Sequence, residues 1–235
     1  MKVALMQPYF FPYIGYFQLI HAVNEFIIFD NAQYIRRGWM NRNRILNGHK
    51  ESIYINVPVQ KAPRETKIKD IVINNELDWK ANLFQQINYY RKAPNYAFVS
   101  DFLDECLYKN TSSLSQFNAI LLKKVCNLLE IDTKITILSE KLPMISVANA
   151  ADEWGVEVCK ALNATTYINA IGGIEFYNQQ KYLENNIEIQ FIKPVLKPYK
   201  QFNQIFIPGL SIIDVMMFNH TQEIKEMLEI HELII

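Results

Sequence analysis

The chain has 235 residues, half of them hydrophobic and 13% aromatic, with 24 Lys and Arg balanced by 24 Asp and Glu. Zero net charge argues against a nucleic-acid partner, because non-specific affinity for polyanions comes from a surplus of Lys and Arg facing phosphate. Seven glycines and nine prolines are too few for a collagen-like or disordered chain. The three cysteines, Cys106, Cys126 and Cys159, cannot all pair and show no CxxC spacing. A disulfide scaffold and a structural zinc site are therefore not expected, and a reducing cytoplasm fits best.

Val3 to Met6 is an apolar run that predicts a buried strand, followed by the polar and aromatic turn Gln7-Pro8-Tyr9-Phe10-Phe11-Pro12-Tyr13. Gln7, Pro8 and Pro12 break the apolar start of the chain, so it does not read as a signal peptide. No apolar run reaches the roughly 18 residues that a membrane span needs, and the expectation is a soluble cytoplasmic protein. Ile14 to Ala22 predicts a helix and Phe26 to Phe29 a second strand, stopped by Asp30-Asn31. Strand, loop, helix and strand over so short a span make a βαβ unit. Its ligand edge would carry Gln7 to Tyr13 and Asp30 to Trp39.

Further strands are predicted at Ser52 to Val59, Ile68 to Ile73, Ile135 to Leu138, Thr166 to Ile168 and Ile187 to Ile192. Helices are predicted from Asp78-Trp79 to Arg91, and over Phe98 to Leu107, Ser113 to Glu130, Asn149 to Leu162 and Glu175 to Leu183. From Ser211 the pattern reads as helical to the end. Alternating strands and helices make the class α/β, with a Rossmann-like, mostly parallel sheet. Residues 1–235 read as a single α/β domain in which about 78–130 is a mainly helical subregion.

Four of the six arginines, Arg36, Arg37, Arg42 and Arg44, fall within nine residues, and no acid occurs between Asp30 and Glu51. Guanidinium groups present paired planar donors that fit phosphate or carboxylate. Interleaved with them, Asn41 and Asn43 offer amides, and Trp39 offers a stacking face for a base or sugar. The segment thus reads as an anion site on a basic loop. Gln7 and the neighbouring tyrosines read as an aromatic rim of a ligand pocket. Asp30, with Gln33 close behind, ends the second strand, where a carboxylate can act as general base or bind a sugar hydroxyl.

Tyr13-Ile14-Gly15-Tyr16 stands where nucleotidyl transferases carry HxGH, after a first strand and opening a helix. Tyrosines replace both histidines, which supports the architecture and speaks against ordinary nucleotidyl transfer. Tyr13 and Tyr16 join Asp30 as catalytic candidates. Asn169, Gly172 and Gly173 form a turn before a helix that can offer backbone N–H groups to an anion. His21, His49, His220 and His231 are scattered, so no metal site is expected, and no cofactor is named. Ser211 and Asp214 read as the N-cap and N3 positions of a helix.

The segments Gln7 to Phe17, Asp30, Gln33 and Arg36 to Arg44, together with Tyr167-Ile168-Asn169, Gly172-Gly173 and Leu210 to Asn219, resemble the WbqC-like family. Bacterial members of that family are associated with O-antigen and other surface-polysaccharide gene clusters. The resemblance implies a polysaccharide-biosynthesis context and assigns no catalytic role. Taken with the basic loop, it leads us to expect a transferase that binds a nucleotide-linked sugar or similar phosphorylated metabolite and moves an acyl or aminoacyl group to an amino sugar. Two alternatives are a non-catalytic nucleotide-binding relative of nucleotidyl transferases and an accessory protein docking onto a glycosyltransferase.

Overall fold

The computed structural model describes residues 1–47, 51–108, 111–141, 148, 150–202 and 205–235. In chain order the elements are β1 (Lys2–Met6), α1 (Ile14–His21), β2 (Glu25–Ile28), β3 (Arg42–Leu46), β4 (Ser52–Asn56), α2 (Trp79–Ile87), α3 (Tyr96–Leu107) and α4 (Leu114–Leu128). The second half adds β5 (Lys134–Ile137), α5 (Leu138–Lys141), α6 (Trp154–Leu162), β6 (Thr166–Ala170), α7 (Gln179–Glu184), β7 (Glu188–Pro194), α8 (Ile212–Phe218), α9 (Thr221–Leu228) and β8 (His231–Ile234).

Six strands form one sheet in the order β5-β2-β1-β6-β7-β8, and β3 and β4 form a separate hairpin. Every pairing in the large sheet is parallel except β7 with β8. The fold is therefore α/β and Rossmann-like, as the sequence predicts. Successive side chains of a strand point to opposite faces, and here both faces are buried. Val3, Leu5, Ile27, Tyr167, Ile189 and Phe191 pack on one face with Val156, Cys159 and Tyr182 of α6 and α7. Ala4, Phe26, Ile28, Ile168 and Ile192 belong to the opposite core, shared with α1, α4, α8 and α9. Near-continuous apolar strands are what a parallel sheet covered on both sides requires.

The strands after β1 build outward on one side through β2 and β5, and those from β6 onward build on the other. The order thus reverses between β1 and β6, at whose carboxyl ends open α/β sheets bind ligands. The loop from Gln7 to Tyr13 sits at that point.

Four expectations change. The predicted strand from Ile68 to Ile73 is a 3-10 turn at Ile68–Asp70 followed by isolated bridges, Val59 with Ile73 and Val72 with Ser113. Its three isoleucines at 68, 71 and 73 are buried in the core beside α4, so their apolar spacing serves packing and not a ladder. The helical tail ends at Leu228, and β8 follows as an antiparallel edge strand on β7. The expected helix from Asn149 begins at Trp154 after a 3-10 turn, and Asn149 itself lies outside the described residues, as does His49. The helix expected at Glu175 begins at Gln179, where Asn178 caps it by accepting from the Gln180 N–H. Among the described residues, no helix is long and apolar enough to cross a membrane.

Candidate functional site

The basic segment is not a loop throughout. Arg42 to Leu46 is β3, paired antiparallel with β4 so that Arg42 faces Asn56 and Arg44 faces Tyr54. Residues directly opposite in such a pair share a face, which gathers two guanidiniums, a phenol and an amide on one side. Asn43, Ile45 and Ile55 point the other way and are buried.

Asn43 does more than pack. Its amide donates to the carbonyls of Phe10 and Phe11 at 3.0 and 2.8 Å, and its Oδ1 accepts the Arg44 N–H at 2.8 Å. The Ser211 hydroxyl also donates to the Phe11 carbonyl, at 2.7 Å. Phe11 has φ of 38°, a left-handed conformation costly for a bulky residue. Two buried donors on its carbonyl offset that strain. Asn118 of α4 ties Pro8 and Met40 together through their carbonyls at 3.0 and 2.7 Å. The β1 loop and the hairpin thus form one braced unit.

Between them lies a pocket of about 230 Å³ lined by Tyr9, Pro12, Tyr13, Trp39, Asn43, Arg44 and Gly209. Gly209 has φ of 68°, suited to a residue without Cβ. Gly15 has a different reason: a Cβ there would lie 2.4 Å from the Tyr13 ring and 2.8 Å from Pro194 Cβ, so α1 and the Tyr13 side chain meet only over a glycine. The Arg44 guanidinium lies 6.0 Å from the Trp39 ring centroid, and that of Arg42 lies 4.2 Å above Tyr54. Such stacking holds guanidiniums in place while leaving their edges free to donate. The Nε atoms of both arginines are buried without a hydrogen-bond partner. Among the described residues no carboxylate forms an ion pair with Arg36, Arg37, Arg42 or Arg44. Burial raises the Tyr13 phenol above its ordinary pKa, and burial followed by the nearby Tyr13 raises that of Tyr9. Both are neutral hydrogen-bond donors at physiological pH.

Of the residues singled out in the sequence, Tyr13, Trp39, Asn43 and Arg44 line this pocket, and Arg42 stands beside Arg44 on the same face of the hairpin. The others serve around it or elsewhere. Tyr16 is buried, and its hydroxyl donates to the Gln7 carbonyl at 2.7 Å, bracing the base of the loop. Asn41 accepts from the Tyr34 hydroxyl and donates to the Val57 carbonyl. Arg42 also donates to the Arg37 carbonyl, while Gln33 and Arg36 donate to the carbonyls of Arg64 and Ala62. Arg37 is exposed with φ of 59°.

Asp30 is 1% exposed, and its carboxylate accepts from the Ser139 N–H at 3.1 Å and from the hydroxyls of Ser139 and Ser115. Among the described residues no arginine is a partner of Asp30, and it does not line the pocket. Asn169 is buried at the end of β6, and Gly172 and Gly173 form a 3-10 turn outside the pocket lining.

The sequence reading passes over one cluster behind the pocket. Ser211 caps α8 by accepting the Ile213 N–H, and Asp214 stands at N3 as expected. The Asp214 side chain, however, is a fully buried carboxylate that accepts from Tyr90 at 2.6 Å, from Gln201 at 2.9 Å and from the Tyr199 hydroxyl. Tyr90 in turn accepts the Leu46 N–H at 2.7 Å, which ties the network to β3. Burial raises the Asp214 pKa from its ordinary value, opposed by these donors.

The fold and site together define an α/β protein with a mostly parallel sheet and a basic, aromatic pocket at the strand-end crevice. The chain matches the WbqC-like protein family over residues 7–226 and belongs to it. It is also 32% identical over 222 residues, 93% of each chain, to the uncharacterized protein Rv1507c of Mycobacterium tuberculosis. No solved structure matches it.

Proposed function

We propose that the Tyr13–Trp39–Arg44 pocket binds a phosphorylated sugar, a nucleotide-linked sugar in the first instance, and that the protein serves group transfer in polysaccharide biosynthesis. The observation that carries the binding reading is the pair of arginines, Arg42 and Arg44, held on aromatic faces with no carboxylate paired to them among the described residues. A pocket of 230 Å³ is smaller than the roughly 300–1,000 Å³ of sites that enclose a drug-sized ligand. It therefore takes one ring and leaves the phosphates over the half-buried guanidiniums of Arg42 and Arg44. Tyr9 and Tyr13, neutral and facing the ring, donate to its hydroxyls or its carbonyl. In the transfer we favour, the amine of an amino sugar attacks an activated acyl or aminoacyl donor. The new C–N bond forms as the acyl–leaving-group bond breaks, and the amine proton passes to solvent.

The test is calorimetric titration with UDP-N-acetylglucosamine, dTDP-glucose and UMP. Binding is expected to weaken with salt, because charge pairs near the surface are screened. It should fall at least tenfold in the Arg42→Ala/Arg44→Ala protein. Unchanged affinity in a folded double variant, or no binding of any of the three, overturns the reading.

A further inference from the structure

Beside the hairpin, α2 presents a face of unusual chemistry. Asn82, Gln85, Gln86 and Tyr89 follow the i, i+3, i+4, i+7 spacing that lines up one side of a helix, the last on the 3-10 turn that continues α2. Solvent-facing helix surfaces ordinarily carry charged residues, yet α2 contains no acid and a single cation, Lys80. Asn is also a poor helix former, since its side chain competes for backbone hydrogen bonds. Asn82 and Gln85 are exposed, and among the described residues neither side chain has a hydrogen-bond partner. Neither packing nor internal hydrogen bonding accounts for them.

The face is concave. A groove of about 610 Å³ runs along Asn56, Asn82 and Gln86, and another of about 680 Å³ runs along Asn88 and Tyr89; Gln85 lines both. We propose that this pair of grooves is a second binding site, for a hydroxyl-rich carbohydrate chain. A carboxamide both donates and accepts, as does a sugar hydroxyl, so a row of amides matches a row of hydroxyls without fixing charge. Tyr89 is 48% exposed and offers a ring face to the C–H side of a pyranose. Each groove alone has the size of a small-molecule site, so the two in series accommodate several sugar rings. A peptide is the poorer fit, because α2 offers no free strand edge to pair with a backbone. Asn56 stands opposite Arg42 in the hairpin, so the chain occupying the groove runs up to the arginine face. The proposal does not depend on the phosphate reading of that face.

The test uses the full chain with chitotetraose, maltotetraose and cellotetraose in saturation-transfer NMR, and with an array of bacterial O-polysaccharides. At least one glycan is expected to bind, and Asn82→Ala/Gln85→Ala should weaken it at least tenfold. Alanine is the better helix former at both positions, so the variant should fold, and an unchanged Tm verifies it. Arg42→Ala/Arg44→Ala should retain glycan binding, which separates this site from the phosphate site. No glycan binding at millimolar concentration, binding that the amide variant leaves intact, or capture of extended peptides in place of glycans overturns the proposal.

Discussion

Two charged regions meet at strand β3, and they are opposites. Asp214 is an anion sealed in the core and met by three side-chain donors from Tyr90, Tyr199 and Gln201. Arg42 and Arg44 are half-buried cations that no carboxylate meets among the described residues. They are linked through backbone: Arg44 accepts the Ser211 N–H at 2.9 Å, and Leu46 donates to the Tyr90 hydroxyl that bonds Asp214. A buried charge with a full set of partners has had its chemistry consumed by folding. A charge propped on aromatic rings and left unpaired is available for a ligand. The contrast teaches that the same short segment separates a structural ion from a functional one.

The sharpest way to break the contrast is Asp214→Ala. It takes the acceptor from the Tyr90 and Tyr199 hydroxyls and leaves Gln201 only its bonds to Ile207 and Tyr199. Removing one partner from a buried polar network costs about 3 kcal/mol, or roughly 6–12 °C in Tm for a chain of this length. Thermal denaturation checks it. A loss below about 1 kcal/mol would mean that the donors find other acceptors, and that Asp214 is not the hub of this region.

Asp30 belongs with Asp214 in this division. Its carboxylate spends its lone pairs on Ser139 and Ser115, fastening the end of β2 to α4 and to α5. Asp30→Asn keeps the shape but turns an amide NH2 toward a donor, and should cost about 1–2 kcal/mol. Affinity for UDP-N-acetylglucosamine should change less than threefold (below about 0.7 kcal/mol). A tenfold loss of affinity at unchanged Tm would move Asp30 to the functional side.

Much of the sheet was legible because β1, β2, β5, β6 and β7 are apolar runs bounded by polar or proline-containing turns. The arginine cluster was legible as chemistry but not as structure. The alternation Arg42-Asn43-Arg44-Ile45 hides a strand because one of its two buried residues is an asparagine, whose amide N–H groups are met by the Phe10 and Phe11 carbonyls more than thirty residues away in sequence. The capping pattern at Ser211 and Asp214 was legible and holds, with Ser211 as the N-cap of α8 and Asp214 at N3. The role of the Asp214 side chain was not, because its partners include Tyr90, 124 residues distant. The β8 segment, His231 to Ile234, has no strand signature of its own and takes its form from the open edge of β7. Local pattern recovers elements that make their own case. Tertiary donors and sheet edges decide the rest.

On the cationic side, Arg42→Ala should barely touch stability. Its stacking on Tyr54 is partly exposed, where such contacts are worth about 0.5–1 kcal/mol. Inorganic phosphate should raise the Tm of the wild-type protein, since a ligand that binds only the folded state stabilises it. The rise should vanish in the Arg42→Ala/Arg44→Ala protein. An equal rise in both would place the anion elsewhere.

The smallest effect is a pH dependence that separates the two regions once more, measured as the Tm of wild type minus that of Asp214→Asn. Burial raises the Asp214 pKa in the folded state above its unfolded value. Between the two values the folded protein holds the proton more tightly than the unfolded chain does, so stability falls as pH rises across that window. The asparagine does not titrate, and groups common to both proteins cancel in the difference. The Asp214 contribution is therefore greatest below about pH 3.9, the ordinary aspartate value, and declines as pH climbs through the raised folded value. Beyond that it stays level. The wild-type advantage over Asp214→Asn should accordingly narrow from acid toward neutral pH. A widening advantage would mean that the Tyr90, Tyr199 and Gln201 donors outweigh burial and hold the carboxylate ionised. Asp214 would then resemble a salt-bridged acid, whose stabilisation is lost on acidification.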